Sequence, residues 1–396
     1  MVAQDLRKIQ NKRLNPYKGL IIDVPTWVSA HDYHRQNQRL HSMSSHRHGV
    51  VTGLEVVAWD PPDNSVVIYP GIAVDPEGNT MVVPEPQRFY LNTAETGTSR
   101  LIVRYSEIGQ DMTEIPGEGK SHPLYIMEGF RVEERREDLL QPHVELARIL
   151  VSEKDGTVKD AYDPSFPGSN EIDDRFRTVS GPRPVGEVTI GVLAYPSAAP
   201  VEGWDCHRQG IFSLVRSIRE TTGYTVRLRD RVELQDELRD CDLLLMAGHE
   251  EFQLSDAEAQ VLTGFFDRGG ILFAEACSGG GKKQQQQDRA KGFRSAIAGM
   301  CVSLGRNLRP MERQHPAFRS YHVFGSPPAG QDGAAVVMEN DCIIYSDADY
   351  GCVWQGGRRE QPVARGIVRD ALEFGANIAI YSQRRARLKA LKLGGT

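Results

Sequence analysis

From about residue 50 to residue 160, apolar and polar positions alternate with a period of two, and Pro, Gly, Asn and Asp cut the alternation into short pieces. Successive side chains of a strand point to opposite faces, so the pattern predicts short, half-buried strands over 49–57, 65–69, 80–83, 100–105, 124–132 and 145–152. Turns are expected at Pro61-Pro62-Asp63-Asn64 and at Asp75-Pro76-Glu77-Gly78-Asn79, because proline fixes φ while Asn and Gly accept positive φ. A further turn at Asp155-Gly156 is expected to lead into a strand over 157–161. One helix, over 29–43, precedes this region, with Ser29 as N-cap and Tyr33, Asn37, Leu40 and His41 on the face that meets the sheet. The stretch 162–186, rich in Pro, Gly, Ser and Asp, reads as a linker with a domain boundary near 184.

After residue 186 the pattern changes to strand, helix, strand. Strands are expected over 188–195, 225–228, 242–247, 270–276, 334–338 and 342–346, with a final one over 377–381. Helices are expected over 207–222, 255–267, 293–304 and 363–374, the second opened by a capping box of Ser255 and Glu258. The polar tract Lys282-Lys283-Gln284-Gln285-Gln286-Gln287-Asp288 reads as a mobile loop. Such alternation predicts a mostly parallel, doubly wound sheet with helices on both faces and its site at the carboxyl ends of the strands. The expected fold class is therefore all-β plus α/β: a β-rich attachment module over 1–161, a linker over 162–186 and an α/β domain over 187–396.

The 396 residues are 25% charged and 40% hydrophobic with net charge −6, the composition of an ordinary globular protein of two to three domains. No stretch approaches the roughly 18 apolar residues of a membrane span, and the opening Met-Val-Ala-Gln-Asp-Leu-Arg-Lys lacks a signal-peptide core, so a cytoplasmic location and no membrane span are expected. The mild acidity offers nothing to nucleic acid; the basic run Arg384-Arg385-Ala386-Arg387-Leu388-Lys389 with Lys392 reads as a solvated last helix. All six cysteines follow residue 200 and none forms a Cys-x-x-Cys pair, which argues against a zinc ribbon and a disulfide framework and for buried small hydrophobes.

Candidate chemistry gathers at the predicted strand ends: Asp205, His249, Cys277 and Asp347 or Asp349. Cys277 stands where Ile271-Leu-Phe-Ala-Glu-Ala breaks into Ser278-Gly-Gly-Gly, and a helix start favours a thiolate. A cysteine-dependent hydrolase or amidotransferase would use Cys277 with His249 as base and Asp205 beside them. Against this, Glu275 occupies the position two before the cysteine, where a nucleophile elbow needs a small residue, and no His-x-Glu pair follows late in the domain. No catalytic residue is favoured on this reading. The histidines His31, His34, His41, His46 and His48 are dense enough to raise a metal site, with His31 and His34 one turn apart and His46 and His48 returning on a strand. With no cysteine in that half they are expected to serve as hydrogen-bonding groups, and no metal or cofactor is expected. Trp204 and Trp354 are expected in core packing, a crevice for a small ligand or carbohydrate being a third use of the strand ends.

The C-terminal half resembles a bacterial domain family with a class I glutamine-amidotransferase-like fold and no established activity. The resemblance runs through Leu243-Leu-Leu-Met-Ala-Gly248, Gly269-Gly-Ile-Leu-Phe-Ala-Glu-Ala-Cys-Ser278, Phe293-Arg294, His315-Pro316, Cys342-Ile-Ile-Tyr-Ser346 with Cys352 and Trp354, and Gly375-Ala-Asn-Ile-Ala-Ile-Tyr381. It implies a doubly wound fold; Glu275 and the missing late His-x-Glu depart from true amidotransferases. The N-terminal half resembles β-rich modules of phage-tail-like and contractile injection systems, through Tyr33-His-Arg-Gln-Asn37, Arg39-Leu-His41, His48-Gly-Val-Val-Thr-Gly-Leu-Glu-Val56, Tyr69-Pro-Gly-Ile-Ala-Val-Asp75 and Val144-Glu-Leu-Ala-Arg-Ile-Leu150. That resemblance implies a non-catalytic structural or adaptor subunit of a particle, a baseplate or accessory component. Its expected partners are other protein subunits, in a homo-oligomer or hetero-complex.

Overall fold

The computed structural model describes residues 12–114, 121–137, 143–152, 156–182, 184–195, 203–234, 236–277, 283–358 and 361–393. The chain forms two units, Met1–Arg183 and Pro184–Thr396.

The first unit begins with α1 (Val24–Ser45) and β1 (His46–Arg47), followed by β2 (Gly49–Gly53), β3 (Val56–Ala58), β4 (Ser65–Ile68), β5 (Gly71–Val74), β6 (Thr80–Val83) and β7 (Gln87–Tyr90). A long hairpin comes next, β8 (Gly97–Glu114) and β9 (Ser121–Arg135), and then β10 (Val144–Val151), β11 (Ile172–Asp173) and β12 (Gly181–Pro182). The sheets run β11-β10-β8-β9, β2-β5-β6 and β3-β4-β7, with β1 paired to β12. One core holds them, formed by alternate residues such as Val66, Ile68, Met81, Val83, Leu101, Val103, Leu146 and Ile149. The expected strand over 49–57 is broken at Leu54, whose φ of 61° ends β2 before β3 begins. Both expected turns are tied by aspartates: Asp63 accepts from the Ser65 backbone N–H at 2.7 Å, and Asp75 Oδ1 accepts from that of Asn79 at 2.7 Å.

Three expectations for this unit are corrected. The helix starts five residues before Ser29: Pro25 opens it, and Asp23 caps it by accepting from Thr26 N–H at 2.9 Å. No residue of α1 is fully buried, but Tyr33, Asn37 and Leu40 of the expected face are half-buried, and the backbone at Arg39 closely approaches Gly78 between β5 and β6. Of the stretch expected as a linker, residues 162–182 are woven into this unit, because Ile172–Asp173 pairs with β10 and the backbone of Thr178 and Ser180 exchanges hydrogen bonds with Val50 at 2.7 and 2.8 Å. No strand forms over 157–161; Val158 N–H bonds Asp63 O at 2.7 Å, and Lys159 bridges to Glu171.

The second unit runs β13 (Gly186–Leu193), α2 (Arg208–Thr221), β14 (Tyr224–Val232), β15 (Leu243–Gly248), α3 (Asp256–Asp267), β16 (Ile271–Ala276) and α4 (Lys283–Ser303). It ends with β17 (Arg309–Pro310), β18 (Val337–Glu339), β19 (Ile343–Ser346), α5 (Tyr350–Trp354), the short pair β20 (Gly357–Arg358) and β21 (Gln361–Pro362), and α6 (Arg365–Leu393). Its sheet has the order β14-β13-β15-β16-β19-β18-β17. The strands from β14 to β19 are mutually parallel, and β18 and β17 are antiparallel additions. Leu244, Met246, Leu272 and Ala274 pack with Phe265 and Phe266 of α3 and Phe293 and Ile297 of α4. Their neighbours Leu245, Ala247 and Phe273 turn the opposite way, toward Ile211 of α2 and Trp354 of α5. Helices therefore cover both faces, which is why β15 and β16 read as continuous apolar runs. The chain leaves β13 for β14 on one side and returns to β15 on the other, and the crevice at such a reversal is where open α/β sheets place their sites.

The capping box of α3 is formed as read: Ser255 N–H donates to Glu258 Oε2 at 3.0 Å and Ser255 Oγ accepts from Glu258 N–H at 3.3 Å. Two other expectations fail. Residues 283–288 of the glutamine tract belong to α4, consistent with the good helix propensity of Gln and Lys. The strand expected over 377–381 is the middle of α6, where Phe374, Ala376, Ile378, Ala379 and Ile380 are all buried. A helix buried all round has no polar stripe, so its period is invisible in the sequence. Asn377 has a partner on each side of its amide, accepting from Tyr321 and His322 N–H at 3.0 and 2.8 Å and donating to His322 O at 2.8 Å. The basic run is not simply solvated, since Arg385 and Lys389 donate to the Gly270 and Phe266 carbonyls at 3.1 and 3.2 Å at the end of α3. No described helix is long and apolar enough to cross a membrane.

In β10, Glu145 and Arg148 form a buried bidentate pair, with Arg148 Nη2 donating to Glu145 Oε2 at 3.0 Å. Residues three apart on a regular strand face opposite ways; here the register shifts between Glu145 and Ala147, and the bulge brings both to one side. The Arg148 guanidinium also lies 3.6 Å over the Phe176 ring. Burial works to raise the Glu145 pKa, but Arg148 and His143 outweigh it and hold it below its ordinary 4.5. A lowered folded-state value contributes stability above the unfolded pKa that disappears as pH falls through the folded one. Replacement Glu145→Gln is expected to cost about 3 kcal/mol in urea unfolding at pH 7, by leaving a buried guanidinium without its anion, and the gap to the wild type is expected to close as the pH is lowered from 5 to 3. A gap that is independent of pH contradicts the assignment.

Candidate functional site

Strands β13, β15, β16 and β19 end side by side, and each is followed by a reactive residue. Cys206 and His207 lie between β13 and α2, His249 directly follows β15, Cys277 directly follows β16, and Asp349 and Cys352 stand at the start of α5. Cys277 is 2% exposed and Asp349 and Glu275 1% each, whereas Cys206 is half-buried at the edge of the cluster.

Two glycines bring the pieces together. A Cβ on Gly210 of α2 would lie 1.9 Å from the Gly351 carbonyl oxygen, and a Cβ on Gly351 would lie 2.0 Å from His207 Cγ. Only a residue without a side chain lets α2 rest on α5 with the His207 ring against its backbone. Glu275, the one charged residue of β16, holds the other side: Oε1 accepts from Tyr350 N–H at 2.7 Å and Oε2 from Gly351 N–H at 2.8 Å. Glu275 Oε2 is also 3.4 Å from His207 Nδ1. Asp349 bridges two cations, its Oδ1 2.8 Å from His207 Nε2 and its Oδ2 accepting from Arg358 Nε and Nη2 at 2.9 and 2.7 Å.

These contacts set the protonation states. Burial pushes Glu275 up to about 7, against the pull of His207. Burial alone would lower the His207 pKa, yet the charges of Cys277, Asp349 and Glu275 raise it well above its usual value. Hydrogen bonds from the Cys206 and Cys352 thiols, joined by the His207 imidazolium, hold Cys277 far below an ordinary thiol in spite of burial. Cys206 and Cys352 shift upward, first as donors to Cys277 and second by burial. The Cys277 and Cys352 sulfurs are 4.0 Å apart. Two sets of donor atoms share Cys277, His207–Cys277–Asp349–Cys352 and Cys206–His249–Cys277, each with its members within 4.8 Å of one another.

The structure thus joins Cys277 to His249, as expected, but the ring that is held by a carboxylate beside the thiol is His207. Asp205 is exposed and enters only through its carbonyl, which accepts from Arg208 N–H at 2.9 Å. Of the two late aspartates, Asp347 pairs with Arg294 and Asp349 enters the cluster. The Cys206-His207 dipeptide just past the first strand was the available signal for the missed residues. The N-terminal histidines are not gathered: among the described residues no donor group includes them, His31 sits edge-on to Trp27 at 5.0 Å and His34 to Tyr33 at 5.5 Å. Trp204 and Trp354 line a small pocket with His207, Phe273 and Glu275 that has room for about one water molecule.

The first unit presents a surface of another kind. From Ser106 outward β8 and β9 are exposed on both faces. Cross-strand register places Ile108 opposite Met127, Gln110 opposite Tyr125 and Met112 opposite Pro123, all on one face. Ile108, Met112, Tyr125 and Met127 are each 50–62% exposed. The opposite face carries Glu107 and Glu128, both reached by Arg35 of α1 at 2.5 and 3.7 Å, and also the exposed Leu124 and Ile126.

Replacement Glu275→Ala strips the acceptor from two buried N–H groups and is expected to cost about 2–4 kcal/mol in denaturant unfolding, with Glu275→Gln losing about half as much. Equal stability of wild type and Glu275→Ala contradicts the anchoring role.

Residues 190–382 match a family model described as a domain of unknown function, DUF4159. No curated protein matches the sequence significantly. Among solved structures, the chain is weakly similar to "Crystal structure of TssK", at 11% identity and a TM-score of 0.27 over 38% of this chain and 41% of that one. It is also weakly similar to "The baseplate complex from the type VI secretion system", at 10% identity and a TM-score of 0.26 over 38% of this chain and 58% of that one. The chain thus spans well under two thirds of either relative, and scores this low establish no common fold.

Proposed function

We propose that this chain is a structural or adaptor subunit of a contractile-injection-type assembly. Its N-terminal unit attaches to a protein partner through the outer half of the β8–β9 hairpin, and its C-terminal unit is an amidotransferase-like α/β platform without turnover. The observation that carries the reading is the apolar face of Ile108, Met112, Tyr125 and Met127. A two-stranded arm contributes nothing to its own core beyond Ser106. Contiguous exposed apolar area of this sort marks an interaction surface in a well-behaved protein. Arg35 ties the glutamates of the opposite face to α1, where Leu124 and Ile126 are exposed as well, so docking is assigned to the untied face. The sequence resemblance to phage-tail-like modules supplies the kind of assembly.

The alternative, a cysteine-dependent hydrolase or amidotransferase, is favoured by one observation: Cys277 stands beside His207, which is held by Asp349. It is disfavoured by the closed surroundings of the sulfur and by the departure at Glu275 from an elbow.

The double replacement Ile108→Glu/Met127→Glu is expected to reduce co-purification of the full-length chain with its native particle at least tenfold. Unfolding stability should move by no more than about 0.5 kcal/mol, since both positions are exposed. Recovery of the wild-type chain only as a free monomer overturns the assembly reading. Glutamine or ester turnover that is abolished by Cys277→Ala establishes the enzyme instead.

A further inference from the structure

We propose that the strand-end cysteines bind a thiophilic divalent metal ion of the zinc class, with Cys206, Cys277 and Cys352 as thiolate ligands and His249 as the fourth. The inference is independent of the docking role of the hairpin.

The sulfurs come first. All six cysteines are free; Cys206, Cys277 and His249 bring their donor atoms within 4.8 Å of one another, and Cys352, whose sulfur lies 4.0 Å from that of Cys277, completes the shell by closing on the ion. At 4.0 Å the Cys277 and Cys352 sulfurs are far beyond a disulfide bond of about 2.05 Å. They are close to the edge, about 3.8 Å, of a tetrahedron whose sulfurs lie about 2.3 Å from zinc. The other three cysteines of the unit show what isolated buried thiols look like here. Cys301 meets Asn340 Nδ2 at 3.6 Å, Cys342 meets Arg385 Nη2 at 3.2 Å and Cys241 meets Arg229 Nη1 at 3.9 Å. None of these sits against a second sulfur in those contacts.

The two imidazoles divide by their hydrogen bonds. His249 Nδ1 lies 2.6 Å from the Cys277 carbonyl oxygen, which can only accept, so Nδ1 is the donor and Nε2 is the nitrogen left to ligate a metal. A ligating histidine is fixed in this way, by donating its other N–H to a carbonyl or carboxylate. His207 has no nitrogen to spare, since Nε2 faces Asp349 at 2.8 Å and Nδ1 faces Glu275 at 3.4 Å. It belongs to the outer shell, where it neutralises charge from three thiolates. Four protein ligands and no open position describe a closed structural centre, one that ties the ends of β13, β15, β16 and β19 together.

The test uses full-length protein, reduced, stripped with a chelator and titrated with Co²⁺ alone. A thiolate-to-cobalt charge-transfer band that saturates near one equivalent, and zinc near one per chain in protein purified without chelator, are expected. Replacement Cys277→Ser or Cys352→Ser should weaken binding more than about 100-fold, and His207→Ala about 10–100-fold. Cys241→Ser should leave binding unchanged. Absence of the band in the folded wild-type protein overturns the proposal whatever the variants do, as does equal affinity in Cys277→Ser and Cys241→Ser.

Discussion

A carboxylate inside an otherwise apolar strand governs the geometry of the C-terminal unit. Glu275 lies in β16 between alanines, fully enclosed, where an unpartnered charge would cost several kcal/mol. It persists because two backbone N–H groups of α5 and the His207 ring converge on it. The same bonds fix where α5 begins, and so fix Asp349 and Cys352, which lie within that first turn. The Gly210–Gly351 contact then presses α2 against this turn and leaves one place for His207. One buried acid and one pair of glycines thus determine the positions of residues separated by more than a hundred positions in the chain.

The N-terminal unit resolves its buried charge differently and closer to home. Glu145 and Arg148 neutralise each other within a single strand, which a bulge makes possible, and Phe176 covers the guanidinium. The pair lies on the strand whose Val144, Leu146, Ala147 and Ile149 join the core, and His143 adds a further contact to Glu145 at 3.5 Å. The hairpin beyond is built on the opposite principle, since its apolar side chains face outward and its glutamates are engaged with α1. Long cross-strand register keeps such an arm ordered without a core, which is what a docking element requires.

What could be read from the sequence follows the range of the interactions. The capping box of Ser255 and Glu258, the aspartate turns and the strands β6, β10, β15 and β16 depend on neighbours in the chain, and local pattern reveals them. The all-buried centre of α6 lacks a polar stripe and mimics a strand. The short pairings of β11 and β12 depend on partners as distant as His46 for Pro182, so a Pro- and Gly-rich stretch reads as a linker. At the site, Cys277 and His249 were legible as strand-end residues. Asp349 was legible as one of two late aspartates, but His207 and the two further thiols were not assembled because sequence spacing carries no information about which strands lie side by side. Glu275 was read as a defect of a nucleophile elbow, when a lone acid in an apolar run is better taken as the mark of a buried polar cluster.

The same atoms admit two chemistries, and surroundings decide between them. A thiol nucleophile needs one sulfur, a base, and space for a substrate carbonyl beside them. Here a second thiol lies 4.0 Å from the sulfur, and the neighbouring pocket has room for only about one water. The ring held by Asp349 has carboxylates at both nitrogens, which favours a standing cation over a base that must give and take a proton. Every one of these features weakens a catalytic thiol, whereas a cation seated among the three sulfurs would turn their crowding into ligation. Multiplicity of sulfur, more than the presence of a histidine and an aspartate, is therefore the observation on which the chemistry of this edge turns.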